Sequence, residues 1–186
     1  MTPIADWRRV HLREELRSAF EDTLDDRISR WIDINHQPIV GAHHFAAAST
    51  ECLELYRDGF FVSAVMTSQA VAEGIRRFVL DRNSIAQVGD GTAQIQTLLH
   101  HHVLSPACAE AFDRIRGSFR NDVHHMNPKV AQIPFRELAK QNAEDLCLIE
   151  REVFEHRVDD GKLFPVQPRY WDLNADGTVN VFLRLQ

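Results

Sequence analysis

Arg120 is followed at once by Asn121 and, after four intervening residues, by His125, within the run Phe119-Arg120-Asn121-Asp122-Val123-His124-His125-Met126-Asn127-Pro128. A guanidinium carries a permanent charge on a planar fork suited to phosphate oxygens. An imidazole exchanges protons near neutral pH. Together they suit cleavage of RNA by its own 2′-hydroxyl, which requires proton transfer and stabilisation of a crowded, negatively charged phosphorane. Asn121 would orient the histidine or hydrogen-bond the phosphate. No cofactor is expected.

Spacing alone does not single out these residues. With 18 Arg and 10 His in 186 positions and three permitted spacings, about three chance hits are expected. The chain contains three: Arg30 to His36, Arg120 to His125, and Arg151 to His156. Trp31 and Glu152 follow the first and last of these arginines, whereas Asn121 follows Arg120.

An Arg, then a polar residue, then His four to six residues on, late in a bundle helix, resembles the signature of the HEPN domain superfamily. The resemblance covers about His43 to Val158, with its sharp part confined to Arg120, Asn121 and His125. It implies an all-α, up-down helical bundle and a metal-independent endoribonuclease. Cleavage would leave a 2′,3′-cyclic phosphate and a 5′-hydroxyl. It also implies a homodimer whose two motifs share one cleft, an inhibitory protein partner, and a toxin or defence role. Fold does not fix activity, so a non-catalytic module that binds a protein or nucleotide, or merely dimerises, is the alternative.

Helical geometry adds a second histidine to the account. At ~100° per residue His125 lies about 140° around from Arg120, whereas His124 lies only about 40° away. His125 fits the resemblance and His124 fits the helix. Glu73 could pair with Arg120, and Glu73 with Arg77 resembles a Glu-plus-basic pair of some HEPN families; a structural ion pair explains it equally.

These residues need helices to hold them. Leu16, Phe20, Leu24, Ile28 and Trp31 recur at helical spacing between Trp7 and Ile34, as one long helix or two short ones. Pro38 marks a break, so residues 1–41 form an N-terminal helical arm. The bundle, residues 42–160, starts with a helix near His43 and turns at Asp58-Gly59. Its central helix runs from Phe60 to about Arg82, with Phe61, Val65, Ala72, Ile75 and Val79 on one stripe and Val62, Met66, Gln69, Glu73 and Leu80 on the next. A short helix follows from Thr92 to His102. Ser105-Pro106 then caps a helix whose core face is Phe112, Ile115, Phe119, Val123 and Met126, ended by Asn127-Pro128. Pro134 opens the last helix, with Leu138, Leu146, Ile149 and Val153 facing the core as far as Val158. In residues 161–186, Leu163–Leu173 and Thr178–Leu185 predict a C-terminal β-hairpin appendage turning at 174–177.

Composition excludes several classes. Twenty-seven acidic against 21 basic residues give a net charge of −6, which disfavours a general nucleic-acid coat but permits a local phosphate site. Without an export segment or a long apolar run, the chain is expected in the cytoplasm and away from membranes. Cys52, Cys108 and Cys147 lack disulfide or zinc spacing, and Cys108 reads as buried packing rather than a nucleophile. His43-His44 and His100-His101-His102 point apart on a helix and make poor metal sites. The 172–177 run matches half of a calcium loop, yet its twelfth position is Leu183, and a polar turn explains it.

Overall fold

The computed structural model describes residues 3–176 and 178–184. The chain divides into two compact units, Met1–Asp33 and Ile34–Gln186. In the first, α1 (Pro3–Glu21) and α2 (Leu24–Asp33) resolve the choice between one helix and two. Thr23 lies between them, its hydroxyl donating to the Ala19 and Phe20 carbonyls at 3.1 and 3.2 Å. Leu16, Phe20, Leu24 and Ile28, expected as an apolar face, are all exposed.

The second unit begins with β1 (Ile39–Gly41) and α3 (Ala46–Arg57), which stops at Asp58 because Gly59 adopts φ +86°. After α3 comes α4 (Phe61–Arg82), the central element of the bundle. Val65, Ala72, Ile75, Val79 and Leu80 are buried along α4, as their spacing predicts. Asp90 caps α5 (Gly91–His100) by accepting from the Ala93 amide at 2.9 Å. Ser105 caps α6 (Pro106–Gly117) by accepting from Cys108, with Pro106 in the first turn. Past a short α7 (Arg120–His124) and a 3-10 turn at Pro128–Gln132, α8 (Phe135–Val153) packs on α4 and α6. Leu146 and Ile149 of α8 meet Phe112 and Ile115 of α6 in one core. Each such fully buried side chain stabilises the fold by roughly 1.5–3 kcal/mol.

The strands differ from the expected appendage. The last helix stops at Val153, because Phe154 turns into the core and β2 (His156–Asp159) begins. This strand pairs antiparallel with β3 (Lys162–Pro165) through a tight turn in which Asp160 and Gly161 both have positive φ, the geometry that suits a two-residue hairpin. Leu163–Leu173 therefore does not form one long strand. Pro165 and Pro168 interrupt it, and Tyr170 and Trp171 drop into the core. Among the described residues the two segments expected to form the hairpin meet in one isolated bridge, Leu173 to Val179, with the Asn180 amide donating to the Asp172 carbonyl at 3.0 Å. The final strand β4 (Val181–Leu183) pairs instead with β1, with Val40 opposite Phe182. Leu185 and Gly177, which belonged to the expected hairpin, lie outside the described residues. Among the described residues no helix is long and apolar enough to cross a membrane.

Candidate active site

The sequence pattern carries α6 straight through the motif, but the chain breaks at Gly117-Ser118 and restarts at Arg120. The Ser118 hydroxyl donates to the Ile115 carbonyl, and Gln69 Nε2 donates at 2.8 Å to both the carbonyl and the hydroxyl of Ser118. Asn142 Nδ2 reaches the same hydroxyl at 3.1 Å and Ser68 Oγ at 2.9 Å. All four residues are buried. A backbone that leaves its helix inside a core must find replacement hydrogen bonds, and α4 and α8 supply them here. Phe119 then takes a left-handed conformation, φ +54°, and is 48% exposed instead of joining the core. Met126 is exposed for the matching reason at the other end of α7.

That other end is a Schellman turn. The Asn127 amide donates to the Asp122 carbonyl at 3.0 Å, the Met126 amide to Val123, and Met126 has φ +48°. His125 is the C-cap, still one helical turn beyond Asn121, whose carbonyl accepts its amide at 3.2 Å. Only Val123 of α7 is buried, so one apolar anchor holds a turn otherwise made of Arg120, Asn121, Asp122 and His124.

These residues line a cleft of about 1090 Å³ between α4, α5, α6 and α7. Arg120, Asn121, His124 and His125 all contribute, as do Glu73, Arg76 and Arg77 of α4 and Arg116 of α6. Glu73 Oε2 lies 3.0 Å from Arg120 Nη2, and its other oxygen takes Arg77. Glu73 is thus shared between two guanidinium groups. A smaller adjoining cavity of about 280 Å³ is lined by Glu73, Arg77, Arg120 and His124, together with His44, but not by His125. The α7 turn remains helical from Arg120 to His124, so the angular gap between Arg120 and His125 is not closed within one chain.

Sequence reasoning placed Gln69 on a buried stripe without seeing what it holds, and it passed over Arg76, Arg116, Ser118 and Asn142. Gly117-Ser118 just before the motif is the signal that a break was available there. Arg76 and Arg116 carry no local signal, because they meet only in the fold.

The remaining motifs have structural partners. Cys108 is buried and burial pushes its thiol far up, while Cys147 is pushed up to about 12 by the same cause. His43 bonds the Tyr170 carbonyl through Nε2 at 2.9 Å and lies 3.5 Å from Asp172. Asp172 also takes Arg82, and Asp176 accepts from the Thr178 amide and hydroxyl at 3.0 and 2.7 Å, so these loop oxygens face protein donors. Among the described residues no group of three or more His, Cys, Asp or Glu is placed to hold a metal ion.

No family model matches the chain, and no curated protein or solved structure matches it significantly.

Proposed function

We propose that the protein is a metal-independent endoribonuclease acting through Arg120, Asn121 and His125. The observation that carries the reading is the single cleft lined by that motif, by His124 and by three further arginines, on a chain of net charge −6. Cations concentrated in one concavity of an acidic protein favour a phosphate-bearing ligand there over nonspecific coating.

In the proposed reaction a histidine takes the proton of a 2′-hydroxyl, whose oxygen bonds to the adjacent phosphorus. The bond from phosphorus to the 5′-oxygen breaks, and that oxygen receives a proton from a second acid. Arg120 neutralises the phosphorane oxygens, and Asn121 hydrogen-bonds phosphate or imidazole. Within one chain His124 is the angular neighbour of Arg120. His125 enters most simply when a second copy of the motif faces the first across a homodimer cleft. An inhibitory partner, and a toxin or defence role, belong to the HEPN resemblance alone.

A non-catalytic phosphate-binding module is the second reading, favoured by the Glu73 to Arg120 pair and by the angle separating Arg120 from His125. End-group analysis after RNA digestion in EDTA separates the two. The first reading yields 2′,3′-cyclic phosphate and 5′-hydroxyl ends with the native chain and none with Arg120→Ala or His125→Ala. RNA left intact by native protein favours the module.

A further inference from the structure

Arg76 is only 8% exposed, and its guanidinium donates to the neutral Gln94 Oε1 and to no carboxylate among the described residues. None of the three carboxylates lining the cleft forms an ion pair with Arg76. Glu73 serves Arg77 and Arg120, Asp90 caps the Ala93 amide, and Asp122 accepts from Asn127 Nδ2 at 2.9 Å. Arg116, next to Arg76, pairs among the described residues with Asp113 alone, at 3.2 Å. A buried cation normally keeps a counter-charge, because desolvation without one is strongly unfavourable. Burial lowers the pKa of Arg76, and Arg77, Arg120 and Arg116 lower it further against the opposing pull of Glu73.

The two arginines meet over the start of α5. A Cβ at Gly91 would stand 2.9 Å from Arg116 Cδ, so the bare backbone there makes room for Arg116, and it would lie in ordinary contact with Arg76 Cζ at 3.7 Å. The Gly91 and Thr92 amides have no acceptor among the described residues, since Asp90 takes only those of Ala93 and Gln94. First-turn amides are donors suited to an anion.

We propose that Arg76 and Arg116, over the first turn of α5, form a second phosphate site in the cleft, which takes the backbone phosphate of the nucleotide neighbouring the one at Arg120. The identity of the strand rests on the ribonuclease reading; the anion site does not. Two such sites in one cleft would engage successive phosphates of one strand.

The test uses the full chain with Arg76→Gln and Arg116→Gln, two probes and one activity assay. Sodium pyrophosphate at matched ionic strength raises the melting temperature of the native protein more than that of Arg76→Gln, in which only the Arg120 site remains. Arg76→Gln without anion melts higher than native, because a desolvated charge crowded by three other guanidinium groups is gone. A labelled deoxythymidine decamer, which lacks the attacking 2′-hydroxyl, binds the native chain, and each variant weakens it about 5–20-fold. The slope of log affinity against log salt falls by about 0.7 per arginine removed. Arg116→Gln alone decides the decamer result if Arg76→Gln does not fold. Decamer affinity and slope unchanged in both variants, or a pyrophosphate shift of native size in both, overturns the site. A pyrophosphate shift that needs Arg76 in a protein that does not bind the decamer overturns the polynucleotide assignment. Arg76-dependent decamer binding without RNA cleavage supports the phosphate site and sinks the ribonuclease reading, whereas RNA cleavage with unaltered KM in both variants does the reverse.

Discussion

Glu73 faces Arg120 at 3.0 Å and Arg77 through its other oxygen, so one carboxylate sets where the motif arginine rests. Arg120 is half exposed, and an ion pair of that kind contributes about 0–1 kcal/mol to stability. Its consequence is positional. Glu73→Gln removes the charge that holds Arg120 and, on the proposed reading, also a repulsion against RNA phosphate. The expected outcome is a kcat lowered about tenfold with a KM slightly lowered, read from initial rates over a range of RNA concentrations; a raised KM with unchanged kcat would mean that Glu73 contacts the strand itself. The same residue was recognisable in the sequence as an acid on the central helix. Its pairing with Arg120 was legible as an option because Glu73 fell on the second stripe of the central helix. The role of the two histidines was less legible, since helix angle and family spacing point to different residues.

The element that aims the site is the break between α6 and α7. Ser118 anchors it by donating to Ile115 and accepting from Gln69 and Asn142, a join between α4, α6 and α8. Replacing the hydroxyl leaves two buried amides short of an acceptor, which costs about 1–3 kcal/mol. Ser118→Ala is therefore expected to lower the urea midpoint and, at temperatures where it stays folded, to lower kcat at least tenfold through a misplaced Arg120. Unchanged kcat with lowered stability would reduce Ser118 to a packing role. Helix existence was readable from period and caps, as Ser105-Pro106 and the α4 stripe show. The break was not, because Phe119, Val123 and Met126 continue the apolar spacing of α6 perfectly well on paper. What overrides it is a buried polar cluster assembled from residues 49 and 24 positions away. The strands failed for the same kind of reason: β4 pairs with β1, and no local pattern reports a partner so distant.

At the scale of the molecule, the second unit is closed by Arg184, just past β4. Its fully buried guanidinium donates to Glu150 at 2.6 and 2.8 Å, to Ser49 at 2.8 Å, to Thr50 at 3.1 Å and to the Gln37 carbonyl at 3.3 Å. One side chain thereby ties the C-terminal strand to α3 and α8. Arg184→Ala strands the buried Glu150 carboxylate and should destabilise the protein by about 3–5 kcal/mol in equilibrium urea unfolding; a loss below about 1 kcal/mol would show that water reaches Glu150. Because this network lies outside the cleft, it offers a stability control for every active-site variant. The central claim concerns the cleft, where a chain of net charge −6 gathers four arginines and two histidines. Its most direct test is the rate of RNA cleavage in EDTA by the native chain, Arg120→Ala, His125→Ala and His124→Ala, each checked for unaltered helicity. Native cleavage that survives EDTA and falls at least 100-fold in Arg120→Ala and His125→Ala is the expected result. Cleavage that EDTA abolishes, or that both variants retain, would contradict it.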